Sequence, residues 1–453
     1  MSAIRTINPY TCNLIKNYDL YSLEKVESII NSSHRAFTTW KQVDLESRID
    51  LLDNIKTILS NNLNTYAELI TSEMGKPISQ SKAEIKKCLL LCDYYKTNTS
   101  SLLANKWIKT EAQESFVSYD PLGVILGIMP WNYPFWQVMR FAIPTITSGN
   151  TILLKHASNV TGSALILQDI FEKAQYPKGC FQTILTNHNT IEHIIKNDSV
   201  KAVSLTGSEK AGRIIASLAG KHLKKSVLEL GGNNPCIILK DANLDKFIDV
   251  IVNSRMQNTG QSCIAAKRFI VVDSIYRKFL KLFTTKVKEL TAGNPASKLT
   301  DIGVLARPDL ADALENQVKQ SIKQGANVHF GNNRKANYYE PTILTNVKPG
   351  MPVFDDETFG PIASITKVKD KNEAYKMATI SKLGLGCMVF TKNIEDAKKH
   401  ISQIEDGSFF INELVKSDPR LPFGGTKASG YGRELSKEGL LEFVNIKTIY
   451  INT

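Results

Sequence analysis

Residues 200–220 read "VKAVSLTGSEKAGRIIASLAG". A short apolar run ends at Gly207-Ser208 and a helical pattern begins at once, which is the joint of an α/β sheet. The same rhythm holds from about residue 120. "GVILGIMP", "NTILLKH", "SVLELGG", "PCIILKD" and "KRFIVVD" are apolar, mostly β-branched runs. Most are separated by helical segments such as "GSALILQDIFEKA" and "LDKFIDVIVNSRMQ". Strands alternating with helices build parallel sheets covered on both faces. A second series follows residue 260, with "NYYEPTILTNV" and "GPIASITKV" among its strands, so two α/β units are expected.

The first hundred residues read as helical. In "DLESRIDLLDNIKTILSNN" the residues Leu45, Ile49, Leu52, Ile55 and Leu59 recur at helical spacing behind Asp44, a suitable N-cap. "AELITSEMGKP" closes on Gly75 and Pro77, a helix stop and a breaker.

Composition narrows the class. A chain of 453 residues, 42% hydrophobic and 22% charged, has the balance of an ordinary globular protein with two or three cores. No apolar run reaches the roughly 18 residues of a membrane span, and the N-terminal stretch lacks a signal-peptide core, so no membrane partner and a cytoplasmic location are expected. Seven scattered cysteines, an odd number, read as reduced thiols. The net charge of +12 is spread among interleaved acids, without a basic block or zinc-finger spacing, so no nucleic-acid partner is expected. A positive field of this kind would still attract an anionic substrate or a phosphorylated cofactor. The seven histidines include no pair at ligand spacing, and no metal is expected.

Several motifs carry chemistry, each with a plain structural alternative. Gly207-Ser208 opens a helix whose first amides suit a phosphate, although neither the P-loop nor the usual dinucleotide fingerprint is complete. Lys155, in "LLKHASNV", lies just beyond the end of a strand, where α/β sheets collect ligands; a solvated lysine is the alternative. Glu229 in "LELGG" is a carboxylate in apolar surroundings, where a raised pKa suits a general base or the acid simply caps a turn. "MPWNYPFWQ" holds Asn132 in a rigid aromatic loop, suited to an oxyanion donor or to packing alone. "NTGQSC" places Gly260 before Cys263, a turn that would present a thiol in a cleft; for an isolated cysteine the inert reading is the default.

Together, and in order, "PWNYP" (130–134), "LLKHA" (153–157), "LTGS" (205–208), "LELGG" (228–232), "GQSC" (260–263), "ETFGP" (357–361) and "PFGGTKASGYGRE" (422–434) closely resemble the NAD(P)-dependent aldehyde dehydrogenases. The resemblance implies Cys263 as the nucleophile, with its own N–H and the Asn132 amide holding the oxyanion, and Glu229 activating the hydrolytic water. It also implies cofactor contacts from Trp131, Lys155, Ser158, Gly207, Ser208, Leu230, Glu357 and Phe359. Within the family the chain is most similar to the short succinate-semialdehyde dehydrogenases, which implies a carboxylate site at Arg140, with Ser417 and Arg420 at the substrate mouth. Gln257 departs from relatives with a second arginine there, leaving glutarate semialdehyde and neutral aldehydes as alternatives. Ser158 stands where many NAD-preferring members have glutamate, so NADP is favoured and NAD remains possible.

The implied architecture is an aldehyde dehydrogenase-like α/β fold. A Rossmann-type cofactor domain would span 1–102 and 123–232, and a catalytic domain 233–421. Residues 103–122 and 436–453 would form a small β oligomerisation element, and 422–435 a linker returning to the cofactor domain. The tail "KTIYINT" would pair with a strand like "ESFVSYD" across a subunit boundary, giving a homodimer or homotetramer.

Overall fold

The computed structural model describes residues 3–452, and Thr453 at the end of "KTIYINT" lies outside them. Two large sheets dominate. The six-stranded sheet runs Gly430–Tyr431, Lys225–Glu229, Val200–Thr206, Val124–Met129, Thr151–His156, Phe181–Thr183. All its pairings are parallel except that of Gly430–Tyr431, which returns antiparallel on Lys225–Glu229. The seven-stranded sheet runs Asn327–Phe330, Thr342–Thr345, Ile362–Val368, Ala266–Val272, Asn234–Ile238, Cys387–Phe390, Phe409–Ile411. It too is parallel apart from its first, edge strand. The central strands of both sheets are buried from end to end, which is why they read as unbroken apolar runs rather than alternating ones.

Four helices, Leu23–Trp40, Leu45–Asn61, Leu63–Met74 and Ile78–Leu102, make up most of the N-terminal part. Asp44 caps the second by accepting from the Ser47 amide at 2.8 Å, and Gly75 ends the third at φ 76°. Ahead of them lies a hairpin, Ala3–Ile7 against Leu14–Asp19, absent from the helical reading. Its turn is set by the Asn8 side chain, which accepts from the Tyr10 and Thr11 amides.

The tail strand Val444–Ile451 pairs antiparallel with Glu114–Pro121, Lys447 opposite Ser118 and Tyr450 opposite Ser115. The expected partner is therefore found, but inside the same chain, which corrects the expectation of pairing across subunits. An intrachain partner needs no second copy to satisfy that edge. Trp107, Ile446 and Tyr450 remain exposed on this three-stranded sheet.

A buried ion pair fixes the approach to the site. Lys76 and Glu84, both almost without solvent contact, pair side by side. The other Glu84 oxygen accepts from the Phe135 and Trp136 amides at 2.8 and 2.9 Å, where the Trp136–Thr147 helix begins. The Lys76 ammonium also lies 3.9 Å from the Tyr133 ring centroid. One carboxylate thus neutralises a buried cation and supplies a helix N-terminus, locking the loop that carries Asn132. Glu84→Ala should lower stability by roughly 3–5 kcal/mol, because it strands a buried charge. Glu84→Gln, which keeps the acceptor for the helix amides, should lose less. Urea unfolding checks this, and an unchanged midpoint in Glu84→Ala would contradict it.

Candidate active site

The Leu244–Met256 helix runs into a turn that decides where Cys263 goes. Asn258, Thr259 and Gly260 have φ of 55°, 54° and 74°, three left-handed residues in succession. For β-branched Thr259 this is strained backbone, so neighbours must impose it. The Asn258 amide donates to Gln80 Oε1 at 2.6 Å, and its side chain donates to the carbonyls of Asn132 (2.9 Å) and Gln261 (3.1 Å). Thr259 Oγ1 accepts from the Gly303 amide at 3.0 Å. The buried Arg255 guanidinium donates to the carbonyls of Gly260 and Ala266. At Gly260 a Cβ would stand 2.3 Å from the Gly360 carbonyl oxygen, so only glycine fits.

Beyond the turn, Cys263 opens into a cavity of about 290 Å³ whose wall also includes Arg140, Trp136, Gln257, Ser417 and Lys87. Asn132 is buried, and its side-chain amide donates to the Gln261 carbonyl at 3.1 Å, which fixes it beside the turn that precedes Cys263. Burial pushes the Cys263 thiol up to about 11, while the charges of Arg140 and Lys267 pull it down. Lys267 is buried and donates to the carbonyls of Ser262 (2.7 Å) and Cys263 (2.8 Å) and to Glu357 (3.0 Å).

Glu229 ends its strand with both carboxylate oxygens buried and, among the described residues, without a hydrogen-bond partner. Burial drives its carboxyl well above the usual carboxylate range; the charge of Glu434 adds to this, and Arg140 and Arg433 oppose it. Arg140 forms a buried ion pair with Glu434, and its guanidinium lies 4.7 Å from the Phe423 ring centroid. Ser417 Oγ accepts from Lys87 Nζ at 2.7 Å and from the Trp136 indole at 3.0 Å. Arg420 is not brought to the cavity. It is exposed and forks onto Asp418 at 2.8 and 2.7 Å, a local pair closed across Pro419, which corrects the expected position at the mouth.

The remaining residues form a second group. Lys155 lies within the Thr151–His156 strand rather than beyond it, and is buried with no ion pair among the described residues. Its charge holds down the pKa of the nearby His188. Ser158, itself exposed, begins a single turn, Ser158–Val160. Ser208 caps the Glu209–Lys221 helix, accepting from the Ala211 amide at 3.3 Å, and the Gly207 amide donates to the Glu229 carbonyl at 2.9 Å. That helix packs tightly on Leu230, since a Cβ at Gly212 would meet Leu230 Cδ1 at 2.5 Å. Glu357 accepts from the Gly232 amide at 3.1 Å, and Trp131 meets Phe359 edge-on at 5.8 Å.

Residues 1–449 match the Aldehyde dehydrogenase family. The chain belongs to the aldehyde dehydrogenase family. It is 44% identical to a Synechocystis protein named "Probable succinate-semialdehyde dehydrogenase (NADP(+))", over 99% of this chain and 100% of that one. It is 40% identical to Escherichia coli succinate semialdehyde dehydrogenase (NAD(P)+) Sad, over 98% and 97% of the two chains. The crystal structure of succinic semialdehyde dehydrogenase from Streptococcus pyogenes, in complex with NADP+, superposes with a TM-score of 0.97 at 35% identity, each chain fully covered.

The second group of this aldehyde dehydrogenase has the chemistry a dinucleotide needs. It offers a buried lysine without an ion pair among the described residues, a 13-residue helix capped by the exposed Ser208, and a carboxylate at Glu357 with an aromatic wall behind it. Three contributors escaped the sequence reading. Glu434 sits inside the quoted "PFGGTKASGYGRE", and Lys267 four residues after the cysteine, so both were in view without a role. Lys87 carries no local signal at all, since only the fold brings its helix to the cavity.

The elevated thiol makes a measurable demand. The rate of Cys263 alkylation by iodoacetamide should rise about tenfold per pH unit from about pH 7 to 10, following the thiolate fraction. Lys267→Met should slow it at every pH by removing a cation that favours the thiolate. Peptide mass spectrometry at Cys263 checks both, and a pH-independent rate would contradict the first.

Proposed function

We propose that this enzyme oxidises succinate semialdehyde to succinate with NADP, and less well with NAD, through a covalent adduct on Cys263. The observation that carries the reading is that the Cys263 thiol opens into one small cavity with a cationic wall, while the Glu229 carboxyl, whose charge acts on that thiol, has no hydrogen-bond partner among the described residues. The similarity to succinate-semialdehyde dehydrogenases that use NADP supports the substrate and the cofactor.

The Cys263 thiolate adds to the aldehyde carbon, and the carbonyl π electrons move to oxygen. The oxyanion is met by an Asn132 side-chain N–H and the Cys263 backbone N–H. A bound dinucleotide supplies the hydride acceptor that converts this adduct to a thioester. Glu229 then takes a proton from water as its oxygen attacks the thioester carbonyl. The C–S bond breaks, the thiolate returns, and a carboxylate leaves. Trp131, Leu230, Glu357 and Phe359 would hold the nicotinamide half, and Gly207 and Ser208 the pyrophosphate. Lys155 and Ser158 would hold the ribose 2′-phosphate, which no carboxylate at 158 repels.

The domain reading rests on the two sheets and on Gly430–Tyr431, which joins the 422–435 linker to the six-stranded sheet. The exposed Trp107, Ile446 and Tyr450 support a homo-oligomer through the three-stranded sheet, and the seven free thiols a reducing cytoplasm.

A steady-state panel tests the proposal. Succinate semialdehyde with NADP should give the highest kcat/KM, at least about tenfold above butanal, the value of one good charged contact. Equal or better kcat/KM with NAD would refute the cofactor preference. Because burial raises the Glu229 carboxyl above the usual carboxylate range, its basic form grows as pH rises, so hydrolysis-limited kcat should climb with pH. Glu229→Gln should abolish the climb along with most of the turnover, as stopped-flow absorbance at the nicotinamide band would show.

A further inference from the structure

Three cations line the cavity at Cys263: Lys87, Arg140 and Lys416. Lys416 pairs with Glu413 at 3.1 Å, and Arg140 is buried against Glu434. Lys87 alone among them has no ion pair among the described residues. The two carboxylates whose charges act on it are already occupied. Glu84 is held by Lys76 and by two helix amides, and Asp418 by the fork of Arg420. What Lys87 does have is neutral: the Ser417 hydroxyl at 2.7 Å and the face of Trp136 at 4.1 Å.

An enclosed ammonium without a counter-ion is costly, and one of its ordinary remedies is an anion from outside. Its cost shows in its acidity: burial, then the Arg140 charge, brings Lys87 down to about 7, against the opposing charges of Cys88, Glu84 and Asp418. We propose that Lys87, oriented by Ser417 and Trp136, is a further binding residue for the distal carboxylate of the substrate, beside Arg140 on the same cavity wall. This inference rests on the semialdehyde reading above. The ammonium donates to one carboxylate oxygen while the Ser417 hydroxyl, freed to rotate, donates to the other. Trp136 packs on the lysine and keeps it from turning back to solvent.

The test is the ratio of kcat/KM for succinate semialdehyde to that for butanal, which lacks the carboxylate. Lys87→Met should lower this ratio about thirtyfold or more, chiefly through KM for the semialdehyde, and Lys87→Arg should lower it less. A ratio unchanged in Lys87→Met overturns the inference. A ratio near one in the unaltered enzyme overturns the semialdehyde reading instead, so the two failures are distinguishable. Should Lys87→Met not fold, the unaltered enzyme still decides. Succinate should protect Lys87 from acetylation by acetic anhydride, read by peptide mass spectrometry, while butanol should not. Equal acetylation with and without succinate also overturns it.

Discussion

Asn258, Thr259 and Gly260 hold positive φ angles in a row, which costs on the order of 1–3 kcal/mol at each non-glycine position. The turn's own bond from Asn258 to Gln261 and the neighbouring Arg255 offset part of that cost, and Gln80, Asn132 and Gly303 reach the turn from separate parts of the chain. The backbone conformation that aims Cys263 into its cavity is therefore a product of the whole fold. The same contacts tie Asn132 to the turn from both sides, since its carbonyl accepts from Asn258 and its amide donates to Gln261. Cys263 and Asn132, the proposed nucleophile and oxyanion donor, are thus positioned as one unit.

Charge around that unit is arranged in closed pairs with deliberate exceptions. Lys76 with Glu84, Arg140 with Glu434 and Lys267 with Glu357 each satisfy a buried ion internally. Glu229, Lys155 and Lys87 lack such a partner among the described residues. Buried ions without partners are expensive to fold around, so their persistence marks places where something else supplies the counter-charge or the proton. Under the proposed function the three complements are a water for Glu229, a cofactor phosphate for Lys155 and a substrate carboxylate for Lys87. Lys267 adds a link between the groups, since its ammonium bridges the Cys263 carbonyl and Glu357.

Legibility in the sequence followed the range of the interactions. The strands and helices flanking Gly207-Ser208, Glu229 and Cys263 announced themselves because burial on both faces leaves an unbroken apolar run. The N-cap at Asp44 and the stop at Gly75 are local effects and were equally plain. The N-terminal hairpin was not, since five- and six-residue strands with mixed composition give no periodic signal. Long-range pairing was opaque for the same reason. Arg140 and Glu434 are nearly three hundred residues apart, and neither spacing nor motif shows that the arginine is neutralised. Lys87 was invisible because a lysine on an amphipathic helix reads as solvated until its neighbours are known. Arg420 reads as a substrate-mouth residue through the family resemblance, and its capture by Asp418, two positions away, is a side-chain choice no motif displays.

The central claim is that oxidation proceeds through an acyl group on Cys263 which Glu229 helps to release. Rapid quenching of Glu229→Gln with succinate semialdehyde and NADP, followed by peptide mass spectrometry, tests it directly. The account predicts a succinyl thioester accumulating on the peptide that carries Cys263, formed at the rate of the first turnover. A first turnover with no acyl adduct, or with the adduct on another residue, would contradict it.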